Sequence, residues 1–185
     1  MVPRTLQAKL RSLARKYPIV KVTGPRQSGK TTLCRATFPR KRWVSFEDLD
    51  VREYATRDPR GFLADHASGA IFDEVQRVPG ILSYLQTDTD ERPVAGRFVL
   101  TGSANLQLME SVSQSLAGRT ALLQLLPLSY DEELRFPNHR TDLFEVLLWG
   151  GYPAPFDREI GPEDWFPSYV ATGSRPSTRM RTSGS

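Results

Sequence analysis

Cysteine and histidine are scarce in this 185-residue sequence, which contains Cys34 as its single cysteine and two histidines, His66 and His139. A single cysteine excludes an intramolecular disulfide framework, and these three residues do not supply the ligand set of a structural zinc site. Long apolar runs are missing too, because no stretch approaches the roughly 18 to 20 residues that a membrane span needs. The first residues alternate polar and apolar side chains and do not resemble a secretory signal. We therefore expect a cytoplasmic protein rather than a membrane protein.

A large excess of one charge is also absent. The sequence has 25 lysines and arginines against 21 aspartates and glutamates, a net charge of +4. Residues 173–185 contain three arginines and no acidic residue, so the rest of the chain carries 22 − 21 = +1. A nearly neutral body gives weak support to a nucleic-acid partner. An amphipathic helix expected over residues 4–17 has a basic outer face, which we interpret as solvated surface, with a nucleic-acid or membrane contact as the alternative.

The hydrophobic pattern alternates between strand-like and helix-like segments. Strands are predicted at Ile19–Thr23, Trp43–Glu47, Ala70–Glu74, Arg97–Thr101 and Ala121–Leu125. Helices are predicted between them at Lys30–Thr37, Val51–Ala67, Val78–Asp88 and Ala104–Leu116. Strands that alternate with helices indicate an α/β fold with a parallel sheet flanked by helices.

A second, shorter helical region follows Pro127. Its predicted helices are Tyr130–Phe136 and Leu143–Trp149, and the sequence from Gly150 to Pro153 breaks the pattern. From Gly173 onward the composition is mostly Gly, Ser, Arg, Pro and Thr, which cannot bury a core. We therefore divide the chain into an α/β domain over residues 1–127, a helical extension over 128–172 and a disordered tail over 173–185.

The most informative motif spans Gly24 to Thr31 and fits the phosphate-binding pattern G-x-x-x-x-G-K-[ST] between a predicted strand and a predicted helix. Its glycines allow backbone N–H groups to point inward at an anion, and the helix that follows adds its positive dipole end. We expect Lys30 to bind the β- and γ-phosphates and the Thr31 hydroxyl to ligate Mg²⁺. The predicted nucleotide-binding residues are Gly24, Pro25, Arg26, Gln27, Ser28, Gly29, Lys30, Thr31 and Thr32.

A pair of carboxylates follows the predicted strand at Ala70 and forms the second half of this site. Asp73 and Glu74 are expected at the carboxyl end of the strand, the edge at which an open α/β sheet binds its ligand. We expect Asp73 to hold Mg²⁺ and Glu74 to polarise the water that attacks the γ-phosphate. A carboxylate that activates water favours an ATP hydrolase over a small-metabolite kinase.

Two further polar positions are candidates for catalysis. Thr101 or Ser103, at the end of the next strand, is predicted to hydrogen-bond the attacking water or the γ-phosphate, with a helix-capping hydroxyl as the alternative. Arg119 is predicted to neutralise charge at the γ-phosphate, in its own subunit or in a neighbouring one, with a surface arginine as the alternative.

Several stretches together resemble one group of prokaryotic AAA+ ATPases, whose members pair an N-terminal ATP-binding domain with a C-terminal domain of unknown function. The stretches are TGPRQSGKTTL (23–33), IFDEVQRVP (71–79), RFVLTGSAN (97–105), SLAGR (115–119) and LPLS (126–129). The resemblance covers residues 4–172 and implies a Walker A motif over residues 24–32, a Walker B motif at Asp73 and Glu74, and a sensor position within residues 101–103. It also implies ATP as the nucleotide and allows a homo-oligomer or a protein partner.

The resemblance ends near Thr172, where the family sequence normally continues a helix into the C-terminal domain. We interpret the change of composition at Gly173 as a truncated or frameshifted reading frame, with an expression scar or a natural flexible tail as alternatives. Two functions remain open on the sequence. One is a Mg²⁺-dependent ATPase that drives a conformational or partner switch, and the other is a nucleotide-binding fragment with negligible turnover.

Overall fold

A computed structural model describes residues 2–103 and 116–173 of the chain, and it contains a five-stranded sheet. The strands are β1 (Ile19–Gly24), β2 (Arg42–Ser45), β3 (Ala70–Asp73), β4 (Phe98–Ser103) and β5 (Thr120–Gln124). They lie in the order β2-β3-β4-β1-β5, and every neighbouring pair is parallel. The predicted α/β fold with a parallel sheet is therefore confirmed.

Helices surround the sheet and continue beyond it. They are α1 (Leu6–Ala14), α2 (Lys30–Thr37), α3 (Leu49–Arg57), α4 (Pro59–Ala64), α5 (Ile81–Glu91), α6 (Tyr130–Glu133), α7 (Leu143–Trp149), α8 (Pro153–Arg158) and α9 (Pro162–Gly173), with a 3₁₀ turn at Val75–Arg77. Among the described residues, no helix is both long and apolar enough to cross a bilayer. The helix predicted over residues 104–116 and the tail after Gly173 fall almost entirely outside the described residues.

Two apolar clusters lie on opposite faces of the sheet. One joins α1 and α2 to β1 and includes Leu10, Leu33 and Cys34, while the other joins α3, α4 and α5 to β3. Cys34 is fully buried, and burial raises the pKa of its thiol to about 12, which suits an inert core residue. Because helices cover both faces of the sheet, every residue of β1 and β3 is buried.

The single helix predicted over residues 51–67 is wrong, because the chain forms α3 and α4 there instead. The break lies at Asp58 and Pro59, since proline lacks a backbone donor and disfavours a helical conformation in the residue before it. Asp58 accordingly has φ −135° and ψ 74°, and its carboxylate accepts a hydrogen bond of 2.9 Å from Gly61 N, which caps α4. The helix-like stretch of sequence therefore forms two helices, α3 and α4, which are separated at the capping residue Asp58.

The register of the strands decides which residues meet at the carboxyl edge of the sheet. Gly24 pairs with Ser103 across β1 and β4, and Ser45 pairs with Asp73 across β2 and β3. Because β4 lies between β1 and β3, the end of β4 is placed between the phosphate-binding motif and the acidic pair. All three strand ends therefore border the same site.

Candidate functional site

The turn between β1 and α2 has the backbone of an anion-binding loop. Gly24 and Gly29 have φ values of +151° and +90°, and Gln27 also has a positive φ of +60°. A Cβ atom on Gly24 would lie 2.1 Å from the Leu125 carbonyl oxygen, so the turn requires glycine there. Gly29 caps the N-terminus of α2, whose unpaired N–H groups and positive dipole end face the turn.

Two polar side chains of this turn are buried. Lys30 is 5% exposed, and its Nζ donates to the carbonyl oxygens of Gly24 (3.1 Å) and Pro25 (2.7 Å). Burial lowers the pKa of Lys30, and the carboxylates of Glu74 and Asp73 partly oppose that effect. Ser28 is fully buried, and its Oγ has no hydrogen-bond partner among the described residues. A phosphate group would supply an acceptor for both side chains.

The carboxylate of Asp73 is held by two hydroxyl groups. Thr31 Oγ1 lies 2.9 Å and 3.0 Å from the two oxygens of Asp73, and the buried Thr101 hydroxyl donates to Asp73 Oδ1. The Thr101 oxygen also accepts a hydrogen bond of 3.4 Å from Glu74 N. Thr101 therefore fixes both carboxylate residues from the neighbouring strand, a role distinct from the predicted contact with water or phosphate.

Glu74 follows β3 in a left-handed conformation, with φ 56° and ψ 46°. Glutamate rarely adopts this conformation, so the surrounding structure must hold it there. The bend turns Glu74 away from the strand direction, and its side chain borders the same cleft as Lys30 and Thr31. The predicted general base thus lies beside the predicted phosphate-binding residues.

The cleft that these residues border has a volume of about 530 Å³. Its lining residues are Arg26, Gln27, Gly29, Lys30, Thr31, Thr32, Glu47, Glu74, Pro153, Ala154, Asp157 and Arg158. A second, mainly apolar cavity of about 260 Å³ lies on the other side of Gly29 and Thr32. It is lined by Val2, Pro3, Arg4, Gln7, Gly29, Thr32, Leu33, Ala36, Leu128, Phe136, Pro153 and Asp157.

Several of these lining residues were missed by the sequence analysis, above all those of α8. Proline at the first position of a helix is a recognised start signal, so Pro153 after Gly150 and Gly151 was a sign of this helix. Arg4 was also misjudged, because it precedes α1 and does not belong to a solvated basic face. Its guanidinium pairs with Glu132 at 3.0 Å and donates to the Ser28 carbonyl at 2.8 Å, so it ties the phosphate-binding turn to α6.

Ser103 lies at the carboxyl ends of the strands, whereas Arg119 lies at their amino ends. Ser103 ends β4 beside Gly24, so it borders the phosphate-binding turn as expected from the strand order. Arg119 immediately precedes β5 and forms an ion pair with Asp90, with an Nη2 to Oδ2 distance of 2.9 Å. The five residues of β5 separate Arg119 from the carboxyl edge by roughly 16 Å of strand. The alternative in which Arg119 acts within its own chain does not agree with this placement.

The residues present fit a nucleotide with Mg²⁺. Among residues 2–103 and 116–173, no group of three or more His, Cys, Asp or Glu side chains could hold a metal ion. Mg²⁺, however, commonly binds through one carboxylate and a hydroxyl together with substrate phosphates. Thr31 and Asp73 supply that pair, next to a buried lysine at a helix N-terminus.

A glycine-rich turn between a parallel strand and a helix, with acidic residues at the end of a nearby strand, defines a P-loop nucleotide-binding domain. Within this class, the AAA domain family matches residues 16–134, and the chain belongs to that family. Family and fold together support nucleotide binding by this chain. The predicted resemblance to AAA-type ATPases is therefore confirmed.

Two curated proteins are similar to this chain in sequence. Uncharacterized proteins of Mycobacterium tuberculosis and Mycobacterium bovis are each 33% identical over 173 residues. The match covers 91% of this chain but 38% of each relative, so the chain spans well under half of their length.

Solved structures extend the likeness to the fold. A Walker-type ATPase of Pyrococcus abyssi is 16% identical with a TM-score of 0.57, over 94% of this chain and 69% of that one. The AMPPCP-bound DnaA of Aquifex aeolicus is 16% identical with a TM-score of 0.55, over 89% of this chain and 61% of that one. At this identity the likeness concerns the fold alone.

Proposed function

We propose that the chain binds ATP with Mg²⁺ in the 530 Å³ cleft and hydrolyses it to ADP and phosphate. The observation that supports this proposal is the hydrogen-bonded cluster of Thr31, Asp73 and Thr101, in which the two proposed Mg²⁺ ligands, Thr31 and Asp73, lie next to Lys30 and Glu74. Asp73 serves the binding of Mg²⁺, whereas the second carboxylate, Glu74, in the same cleft as Lys30 supports hydrolysis.

Each residue has a distinct task in this proposal. The turn around Gly29 and the ammonium of Lys30 bind the β- and γ-phosphates, with Lys30 exchanging its contacts to the Gly24 and Pro25 carbonyls for phosphate oxygens. Thr31 and Asp73 hold Mg²⁺, which when bound offsets the negative charge of the phosphate oxygens. Glu74 orients the attacking water in line with the γ-phosphate and accepts its proton.

We propose that the adenine base occupies the 260 Å³ cavity on the far side of Gly29. The cavity adjoins the phosphate-binding turn and is lined mainly by apolar side chains, among them Leu33, Leu128 and Phe136. Binding of a flat aromatic base against such an apolar surface is favourable, because it removes both the base and the surface from water. The triphosphate would then extend from this cavity across Thr32 into the larger cleft.

The proposed switch involves α8 and α9. Asp157 and Arg158 of α8 line the cleft, and Tyr152, just before α8, shares a hydrogen bond of 2.9 Å with Tyr169 of α9. The Tyr169 hydroxyl in turn donates to the Arg26 carbonyl of the phosphate-binding turn at 3.5 Å. A nucleotide that moved Arg26 or α8 would therefore shift α9, to which a protein partner or a second copy of the chain would respond.

The test is to measure Mg²⁺-ATP binding and turnover on the purified chain and on three variants. Lys30→Ala should abolish saturable binding, because the phosphates lose their main cation. Glu74→Gln should keep binding and lose turnover, because the amide cannot accept the proton. Lys9→Ala, on the exposed face of α1, is the matched control and should change neither.

Other outcomes would contradict specific parts of the proposal. Binding without turnover in the unmodified chain would favour a nucleotide-binding protein without catalysis. No saturable binding would overturn the whole proposal. Equal affinity for ATP, GTP and CTP would overturn the assignment of the apolar cavity to the base.

A further inference from the structure

The backbone next to the proposed general base is fixed from both sides. After β3, Glu74 has φ 56°, and the chain then makes the 3₁₀ turn Val75–Arg77. Val75 is fully buried and Val78 is 4% exposed, and both belong to the apolar cluster under α5. Gln76, which follows Val75 in this turn, therefore has little freedom to move relative to Glu74.

Gln76 uses this position to contact the Glu74 carboxylate. Its amide nitrogen Nε2 donates a short hydrogen bond to Glu74 Oε2. A carboxylate only accepts hydrogen bonds, so the nitrogen end of the amide must face it. The amide oxygen of Gln76 is buried and has no hydrogen-bond partner among the described residues.

We propose that Gln76 is a positioning residue for hydrolysis, which holds Oε2 of Glu74 and leaves Oε1 as the oxygen that binds the attacking water. This inference rests on the proposed ATPase function. Gln76 does not line the cleft, whereas Glu74 does, so Gln76 acts through Glu74 rather than on the nucleotide. A carboxylate with one oxygen restrained presents the other in a single direction, and the geometry of proton transfer depends on that direction.

The experiment compares the turnover and the ATP affinity of Gln76→Met and Gln76→Glu with those of the unmodified chain. Methionine has a similar length but no donor, and we expect turnover at neutral pH to fall about tenfold, because Glu74 Oε2 is no longer held. Glutamate replaces the donor by a second carboxylate that repels Glu74, so the loss of turnover should be larger. Gln86→Met, on α5 and away from the lining of the cleft, is the matched control and should leave turnover unchanged.

The dissociation constant for ATP separates positioning from a general loss of the site. It should be the same in all variants that fold, because Gln76 does not line either cavity. Gln76→Glu provides the same comparison if the methionine variant does not fold.

The outcomes distinguish this inference from the function on which it rests. An unmodified chain that binds ATP without turnover overturns the proposed function and this inference with it. An active chain whose turnover is the same with and without Gln76 overturns this inference alone. A loss of turnover that is matched by a loss of ATP affinity also overturns it, because a general loss of structure would have that effect.

Discussion

Replacing Lys21 by methionine should stabilise the protein, and by an amount that depends on pH. Lys21 lies in β1 between Leu100 and Leu122 of the neighbouring strands, is fully buried, and its Nζ has no hydrogen-bond partner among the described residues. Burial lowers its pKa from 10.5 to about 8. That difference corresponds to about 3 kcal/mol of penalty for the charged amine in the folded state.

The sign follows from proton binding in the two states. Below pH 8 the amine is charged in both the folded and the unfolded chain, so the folded state bears the full penalty. Between pH 8 and 10.5 the unfolded chain binds more protons, so the free energy of unfolding should rise with pH. Methionine has a similar length and no charge, so Lys21→Met should be more stable at pH 7, with an advantage that narrows by about 3 kcal/mol as the pH reaches 10.5.

Urea unfolding of both proteins at intervals from pH 7 to pH 10.5 would measure this difference. The difference between the unfolding free energies of the two proteins at each pH removes the contribution of other groups that titrate in the same range. For Lys9→Met, at an exposed position of α1, the plot of unfolding free energy against pH should be parallel to that of the unmodified chain over the whole range. If the curves for Lys21→Met and the unmodified chain were also parallel, the reasoning that Lys21 is charged, buried and unpaired would be refuted.

Two further predictions concern the site. Thr101→Val keeps the shape of the side chain but removes the hydroxyl that contacts Asp73 and Glu74 N. Turnover should therefore fall about 10- to 100-fold, and a higher Mg²⁺ concentration should be needed to reach half of the maximal turnover. Titration of turnover with Mg²⁺ tests this, and an unchanged curve would contradict the role of Thr101. Arg119→Ala should leave the turnover of dilute monomeric protein within about twofold of normal, because Arg119 pairs with Asp90 at the opposite edge of the sheet. Turnover measured alongside sedimentation would test this placement, and a large loss in the monomer would contradict it.

The alternation of strands and helices was predictable because each buried strand is a short apolar run with clear breaks around it. The bounds of α2 and α7 agree with the predicted Lys30–Thr37 and Leu143–Trp149, where a glycine or an aspartate caps the helix. The helix predicted over residues 51–67 failed because its apolar spacing continues across Pro59, and proline chemistry outweighs periodicity there. Helix α8 was missed because it has six residues, too few to show a helical period.

The sequence by itself determined the phosphate-binding turn and the acidic pair, because both depend on residues that are adjacent in the chain. A glycine at φ +90°, a lysine and a threonine form the turn mainly through local backbone geometry. Only the tertiary structure decided which distant residues join that site. The order of the sheet places β4 between β1 and β3, which brings Thr101 to Asp73. The parallel direction of β5 leaves Arg119 at the amino end of that strand, away from the site. Contacts of this kind depend on strand register and on the packing of separate segments, and no local pattern in the sequence encodes them.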